Sequence, residues 1–210
     1  AQLSQSPVLP HVFRRGEALH ARPAREVVGV GPMAQTAGHR RAAKVITFGI
    51  IYGLSPFGLA QQLNIEQREA AQFINAYFTR YRGVKEYLDN TLADTRATGV
   101  AKTLFGRIRP IPEINSAQFQ LRNFAERTAL NSPLQGTAAD IIKLAMINID
   151  RRLAKENLHS RMILQVHDEL VFELPKGELK AVSKLVREEM EGVHEIAVTL
   201  LVEVCSGPDW

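Results

Sequence analysis

The feature that most constrains this fold is a change of hydrophobic period at Gly99. Before it the chain reads as helices, and beyond it short β-like runs alternate with two long helical stretches. Residues 15–28 read as a short helix closed by Gly29, and Gly31-Pro32 and Gly38 bracket a loop. Arg40 to Tyr52 is helical, with Gly53 suited to the left-handed position past its end. Ser55-Pro56 opens the next helix, and Asn64 is placed as the N-cap of one running to Arg80. A further helix covers 84–98.

Val100 to Pro112, rich in Gly, Pro and β-branched residues, predicts a twisted hairpin. Ala117 to Glu156 is helical, with an interruption expected near Asn131-Ser132-Pro133 because proline removes a backbone donor. Arg161–His167 and Leu170–Leu174 read as strands, Leu179–Glu191 as an amphipathic helix and Thr199–Cys205 as a final strand. The fold class is therefore α+β: a helical first part, then a small antiparallel sheet flanked by helices.

Charge is divided along the chain. Residues 1–110 hold 15 Lys/Arg against 7 Asp/Glu, and residues 111–210 hold 11 against 15. The first half suits an anionic partner, although solvated helix faces give the same balance. No run approaches the roughly 18 apolar residues of a membrane span. The start shows no signal-peptide pattern. The single cysteine, Cys205, excludes an internal disulfide and fits a reducing compartment such as the cytoplasm.

Arg40, Lys44, Phe48 and Tyr52 recur every fourth residue. On a helix each step drifts only about 40°, so they form one slanting stripe, cationic at the N-terminal end and aromatic at the other. Cations at the positive end of the helix dipole suit a polyphosphate, and aromatic faces suit a sugar and base. A solvated basic turn followed by core aromatics has the same spacing. Val45, Ile46 and Ile50 lie opposite and can pack inward.

Met162 to Phe172 reads as two apolar strands meeting at His167, Asp168 and Glu169. Asp-Glu is a poor tight-turn pair, since such turns favour Asn-Gly, Asp-Gly or Gly-X. Two adjacent carboxylates at a tip can hold Mg²⁺, and a solvated acidic turn is the plainer alternative. On the preceding helix Arg127, Asn131 and Gln135 are spaced by four and share a face.

These segments carry a resemblance. RRAAKVITFGIIYG resembles motif B of family A DNA polymerases, of the bacterial DNA polymerase I type. LQVHDELVFE is similar to motif C, and RNFAERTALNSPLQGTAADIIKLAMI to the long palm helix. The resemblance covers nearly the whole chain. It implies a mainly helical fingers subdomain, mostly within 1–100, and a partial palm over 101–210, with the long helix at 117–156 and the carboxylate hairpin at 161–174.

The resemblance further implies that Arg40 and Lys44 contact the triphosphate of an incoming deoxynucleoside triphosphate, with His20 touching the phosphates. Phe48 packs on the sugar and Tyr52 lies near the templating base. Arg127, Asn131 and Gln135 contact primer-template DNA, His167 lies near the primer end, and Asp168 binds the catalytic Mg²⁺ with Glu169 beside it. Thr103 to Arg109 matches a segment near the duplex, with Ile108 in place of a usual basic residue. Thr47 stands where the family usually has Asn, and Pro23 interrupts the helix expected to present His20.

The implied activity is template-directed DNA synthesis by two-metal phosphoryl transfer, in a monomer. The family's motif A, with a second metal-binding Asp, is not matched, since the first aspartate here is Asp89. The expectations that follow are an isolated chain that does not extend primers and, as the alternative, an inactive remnant that only binds nucleic acid or nucleotide.

Overall fold

The structure, a computed structural model, describes residues 45–209. The helix expected at 15–28, the loop after it, and His20, Arg40 and Lys44 lie outside the described residues. The chain divides into two compact units at Gly136/Thr137.

In the first unit, residues 45–51 form α1. It ends in a Schellman arrangement: Leu54 N–H donates to the Gly49 carbonyl (2.7 Å) and Gly53 N–H to that of Ile50 (3.1 Å). Gly53 takes φ +75, the left-handed conformation expected of it. Pro56–Leu63 is α2, with the Ser55 hydroxyl accepting from Gly58 N–H at 3.2 Å. Asn64 differs from expectation. It closes α2 in the left-handed conformation (φ 54), and Glu66 precedes the next helix without a side-chain cap. Asparagine is suited to both helix ends, so its identity alone did not fix which.

Gln67–Arg80 forms α3 and Arg82–Thr98 forms α4, hinged at Tyr81. The rings of Tyr77 and Tyr81 sit 4.7 Å apart at their centroids, both fully buried. Burial pushes the Tyr77 hydroxyl's pKa up, so the side chain stays neutral. Ile46, Ile50, Leu59, Ala70, Val84, Leu88 and Leu130 complete this core.

Gly99 ends α4 at φ 74. Val100–Lys102 (β1) then pairs antiparallel with Ile108–Pro110 (β2), as the composition predicts. The hairpin leads through a short turn, Pro112–Asn115, into the long helix Phe119–Lys155 (α5). A second apolar cluster, Ala101, Ile111, Ile114, Ala125 and Ala129, packs hairpin, turn and helix together.

The interruption expected near Pro133 does not occur, since α5 runs through the proline unbroken. Proline in a helix interior costs about 3 kcal/mol. Elongation is cooperative once a helix is nucleated, and here both flanking turns are held by packing: Ala129, Leu130, Ser132 and Pro133 are all buried.

The second unit holds the rest of α5, then Arg161–Val166 (β3), Glu169–Glu173 (β4) and Leu179–Glu191 (α6). Its core is Ile149 and Leu153 of α5 against Val182, Leu185 and Val186 of α6, with Met162, Leu170 and Phe172 partly buried on it. Arg152 pairs with Glu156, Glu188 and Glu189 at 2.8, 2.8 and 3.1 Å. Glu178 binds the chain just before β3. Its carboxylate accepts from the Ser160 hydroxyl (2.6 Å) and from the backbone N–H of His159 and Ser160 (3.0 Å each).

The strand expected at 199–205 is absent: that segment has no ladder, and Val202 N–H donates instead to the Glu191 side chain at 3.0 Å. A strand exists only against a neighbour, and the β-like composition of Thr199–Cys205 does not supply one. The described residues thus form two separate two-stranded hairpins rather than one sheet, within an α+β architecture. No helix among them is long and apolar enough to cross a membrane.

Candidate nucleotide and nucleic-acid site

The described end of the basic–aromatic stripe keeps its geometry. Phe48 on α1 and Tyr52, the first residue past its end, stack with centroids 6.0 Å apart and planes within 13°. Both are half-buried, while Ile46 and Ile50 on the opposite face are buried at 1% and 3% exposure. The helix is thus fixed by its apolar side and offers a paired aromatic surface on the other. Thr47 is also buried, and its hydroxyl has no hydrogen-bond partner among the described residues. An unmade bond of this kind costs about 1–3 kcal/mol.

The end of α1 meets α5 directly. A Cβ on Gly53 would lie 3.1 Å from Leu130 Cδ1 and 3.6 Å from Arg127 Cγ. Glycine is needed there twice over, for its positive φ and for this approach. Arg127 and Gln135 are exposed and Asn131 is half-buried. Asn131 Oδ1 is enclosed without a donor among the described residues, which leaves its amide N–H₂ as the group able to reach outward.

The β1–β2 hairpin is tied to the same stretch of α5. Arg107 Nη2 donates to the Gly136 carbonyl at 2.9 Å, and Arg109 Nη1 reaches the Ser132 hydroxyl at 3.4 Å. Thr103, Arg107, Arg109, Ser132, Gln135 and Gly136 line a shallow polar depression. A Cβ on Gly136 would come within 2.6 Å of Thr103 Cγ2, so the hairpin docks where α5 has no side chain. Neither tie was read from the sequence, though a glycine inside a helical run is a usable sign of close approach.

In the second unit, His167, Asp168 and Glu169 share the β3–β4 tip and are exposed. The turn is shifted by one residue from expectation. Val166 pairs with Glu169, so the two turn residues are His167 and Asp168, and Glu169 begins β4. His167 takes φ +53, where a two-residue turn prefers glycine. The Gln165 amide donates to its carbonyl at 2.6 Å, bridging the turn. Asp168 lies in the turn and Glu169 at the start of β4, and both carboxylates are exposed and open to a hard cation. Among the described residues no three His, Cys, Asp or Glu cluster as a metal site.

The model of DNA polymerase family A matches residues 1–210. The chain is 46% identical over its whole length to DNA polymerase I of Geobacillus stearothermophilus and 47% identical to that of Caldicellulosiruptor bescii. It spans 24% and 25% of those proteins, about a quarter of their length. A solved structure, the POL domain of Pol1 from M. smegmatis in complex with DNA primer-template and dNTP, superposes with a TM-score of 0.90 at 44% identity. That match covers 95% of this chain and 35% of the other.

Proposed function

The chain belongs to DNA polymerase family A, and from that premise we propose that it contributes the nucleotide-binding helix, the duplex-contacting helix and one metal carboxylate to template-directed DNA synthesis. The observation that supports this most is the junction of α1 with α5, where the stacked Phe48–Tyr52 pair ends beside Arg127 through Gly53. A sugar and base held on the aromatic pair would adjoin a duplex read by Arg127, Asn131 and Gln135. Amide and guanidinium donors suit the minor-groove acceptors present at every base pair, so contact is independent of sequence.

In this reading residues 1–100 are mostly fingers and 101–210 partial palm. Arg40, Lys44 and His20 bind the triphosphate, and Lys44 with Arg40 offsets charge on the departing pyrophosphate when the primer 3′-hydroxyl attacks the α-phosphate. His167 lies near the primer end. Asp168, with Glu169, would hold Mg²⁺, and exposed carboxylate oxygens fit that hard cation. Bound Mg²⁺ supplies charge stabilisation at the entering and leaving oxygens. A monomer acting in the cytoplasm completes the reading. The remnant reading rests on one observation, that Asp168 and Glu169 find no third ligand among the described residues.

The test is equilibrium binding of recessed primer-template duplexes of several sequences, and of a deoxynucleoside triphosphate, with primer extension measured alongside. The expected result is sequence-independent, salt-sensitive DNA binding, because phosphate contacts release counterions. Lys44→Ala should weaken triphosphate binding about ten- to a hundredfold, the worth of a charge-assisted bond, with DNA binding little changed. Flat salt dependence, or equal loss of both ligands, would overturn the assignment. Extension by this chain, abolished by Asp168→Ala, would exclude the remnant and overturn the expectation that the isolated chain does not extend primers; DNA binding without extension agrees with both readings.

A further inference from the structure

Phe124, in the second turn of α5, is 64% exposed, an unusual position for a phenylalanine on a packed helix. Its neighbours Ala125 and Ala129 are buried in the second core cluster, so α5 is seated and the ring is left outside by its position on the wheel. Counting 100° per residue, Phe124 falls within about 20° of Asn131 and Gln135, and about 60° from Arg127. It therefore heads the polar stripe as its one aromatic member, about 10 Å along the axis from Asn131.

Direction gives the ring its task, and this step rests on the functional reading above. The end of α1 abuts α5 at Arg127 and Leu130. If the templating base sits at that junction and the duplex runs along Asn131 and Gln135, the strand beyond the junction is unpaired and passes the opposite way, over Phe124. An unpaired base exposes a π-face that a duplex hides, and every base has one. The surroundings suit a phosphate backbone: Arg127 is one turn on, and Glu126, the acidic residue of this turn, is paired with Arg96 at 2.8 Å.

We propose that Phe124 is a stacking platform for the first unpaired template bases, so that α5 reads duplex with its amides and single strand with its ring.

The experiment compares one duplex with and without a 5′ template overhang, titrated against the 210-residue chain, Phe124→Ala and Phe124→Tyr. A 2-aminopurine at the first unpaired template position reports stacking. The overhang should add affinity, and Phe124→Ala should remove about five- to a hundredfold of that addition while leaving blunt-duplex binding unchanged. Phe124→Tyr should retain it, with the 2-aminopurine signal following the same order. Equal losses on both duplexes, or unchanged overhang binding in Phe124→Ala, would overturn the proposal and give the ring to a polypeptide neighbour while the functional reading stands. Failure of every variant to bind either duplex would remove both.

Discussion

The α1–α5 junction and the β3–β4 tip are built in opposite ways. At the junction each proposed ligand-contacting side chain stands on or at the end of a helix whose other face is buried: Ile46 and Ile50 behind Phe48 and Tyr52, Ala125, Ala129 and Leu130 behind Arg127 and Asn131. The tip has little behind it. Among the described residues two strands support it, Ile163 and Leu164 are 58% and 44% exposed, and the pairing is irregular between Met162 and Leu164. What fixes the tip is local: a residue at positive φ and one amide bridge from Gln165. The surface proposed to hold an extended ligand is aligned by core packing. A pair of carboxylates is aimed by a turn.

The largest effect should come from cutting the support of the first region. Ile50→Ala is expected to destabilise the chain by about 2–5 kcal/mol through lost burial and the cavity left behind. Ile163→Ala, the same deletion on the exposed side of the hairpin, should stay within about 0.5 kcal/mol. Denaturant titration of both variants tests the contrast directly. Comparable losses would mean that the Ile163 side of the hairpin is buried as well and that the two regions are not built differently.

A smaller effect isolates how the β1–β2 hairpin docks. Gly136→Ala gains about 1 kcal/mol of helix propensity, but its Cβ would overlap Thr103 Cγ2 at 2.6 Å. Overpacking costs about 1–3 kcal/mol, so a net loss is expected. Thr103→Ser removes the methyl and keeps the hydroxyl that accepts from Arg107 N–H at 3.1 Å. In that background Gly136→Ala should become neutral or stabilising, and a double-mutant cycle without coupling would break the docking account.

The same contrast explains what the sequence could and could not tell. Helices such as Arg82–Thr98 and Leu179–Glu191 were legible because period and stop signals agree, with Gly99 and Gly192 closing them. The stripe through Phe48 and Tyr52 was legible for the same reason. Continuity of α5 through Pro133 was not, because local propensity argues against it and tertiary burial decides it. Thr199–Cys205 has strand composition without a partner, a non-local fact. The exact turn at His167-Asp168 depended on register, which a single residue's slip changes. The clamp of Glu178 on Ser160 spans 18 residues and has no periodic sign at all.

That clamp gives the second region its own pH signature. Hydrogen bonds from the Ser160 hydroxyl first, then from the His159 backbone, hold the Glu178 carboxyl down at about 2, against an ordinary 4.5. The folded pKa is the lower one, so the contribution is present above 4.5 and is lost as pH falls from there through about 2. Glu178→Gln should flatten that limb of the stability-against-pH curve without altering the curve's shape near neutrality. Amide exchange read separately at Ser160 and at Ile50 should place the acid-labile step in the second unit. Loss of protection at Ile50 first would contradict the assignment.

The smallest effect expected concerns the strain at the tip. A non-glycine residue at positive φ costs about 1–2 kcal/mol, although histidine tolerates the left-handed region better than most. His167→Gly relieves that cost but adds about 0.5–1 kcal/mol of unfolded-chain entropy, so the net gain in stability should be under about 1 kcal/mol. The informative quantity is its coupling to Gln165. Gln165→Leu removes the bond to the His167 carbonyl and should cost about 0.5–1.5 kcal/mol alone. If the amide serves to hold a strained residue, that cost should shrink in the His167→Gly background, where the turn is adopted without help. Mg²⁺ affinity measured on the same four proteins separates stability from aim: relaxing the turn should loosen Asp168 and weaken the ion even as the fold gains. Tighter Mg²⁺ binding by His167→Gly would show that the positive φ obstructs the carboxylates, and that this tip, like the junction, is positioned by its packing.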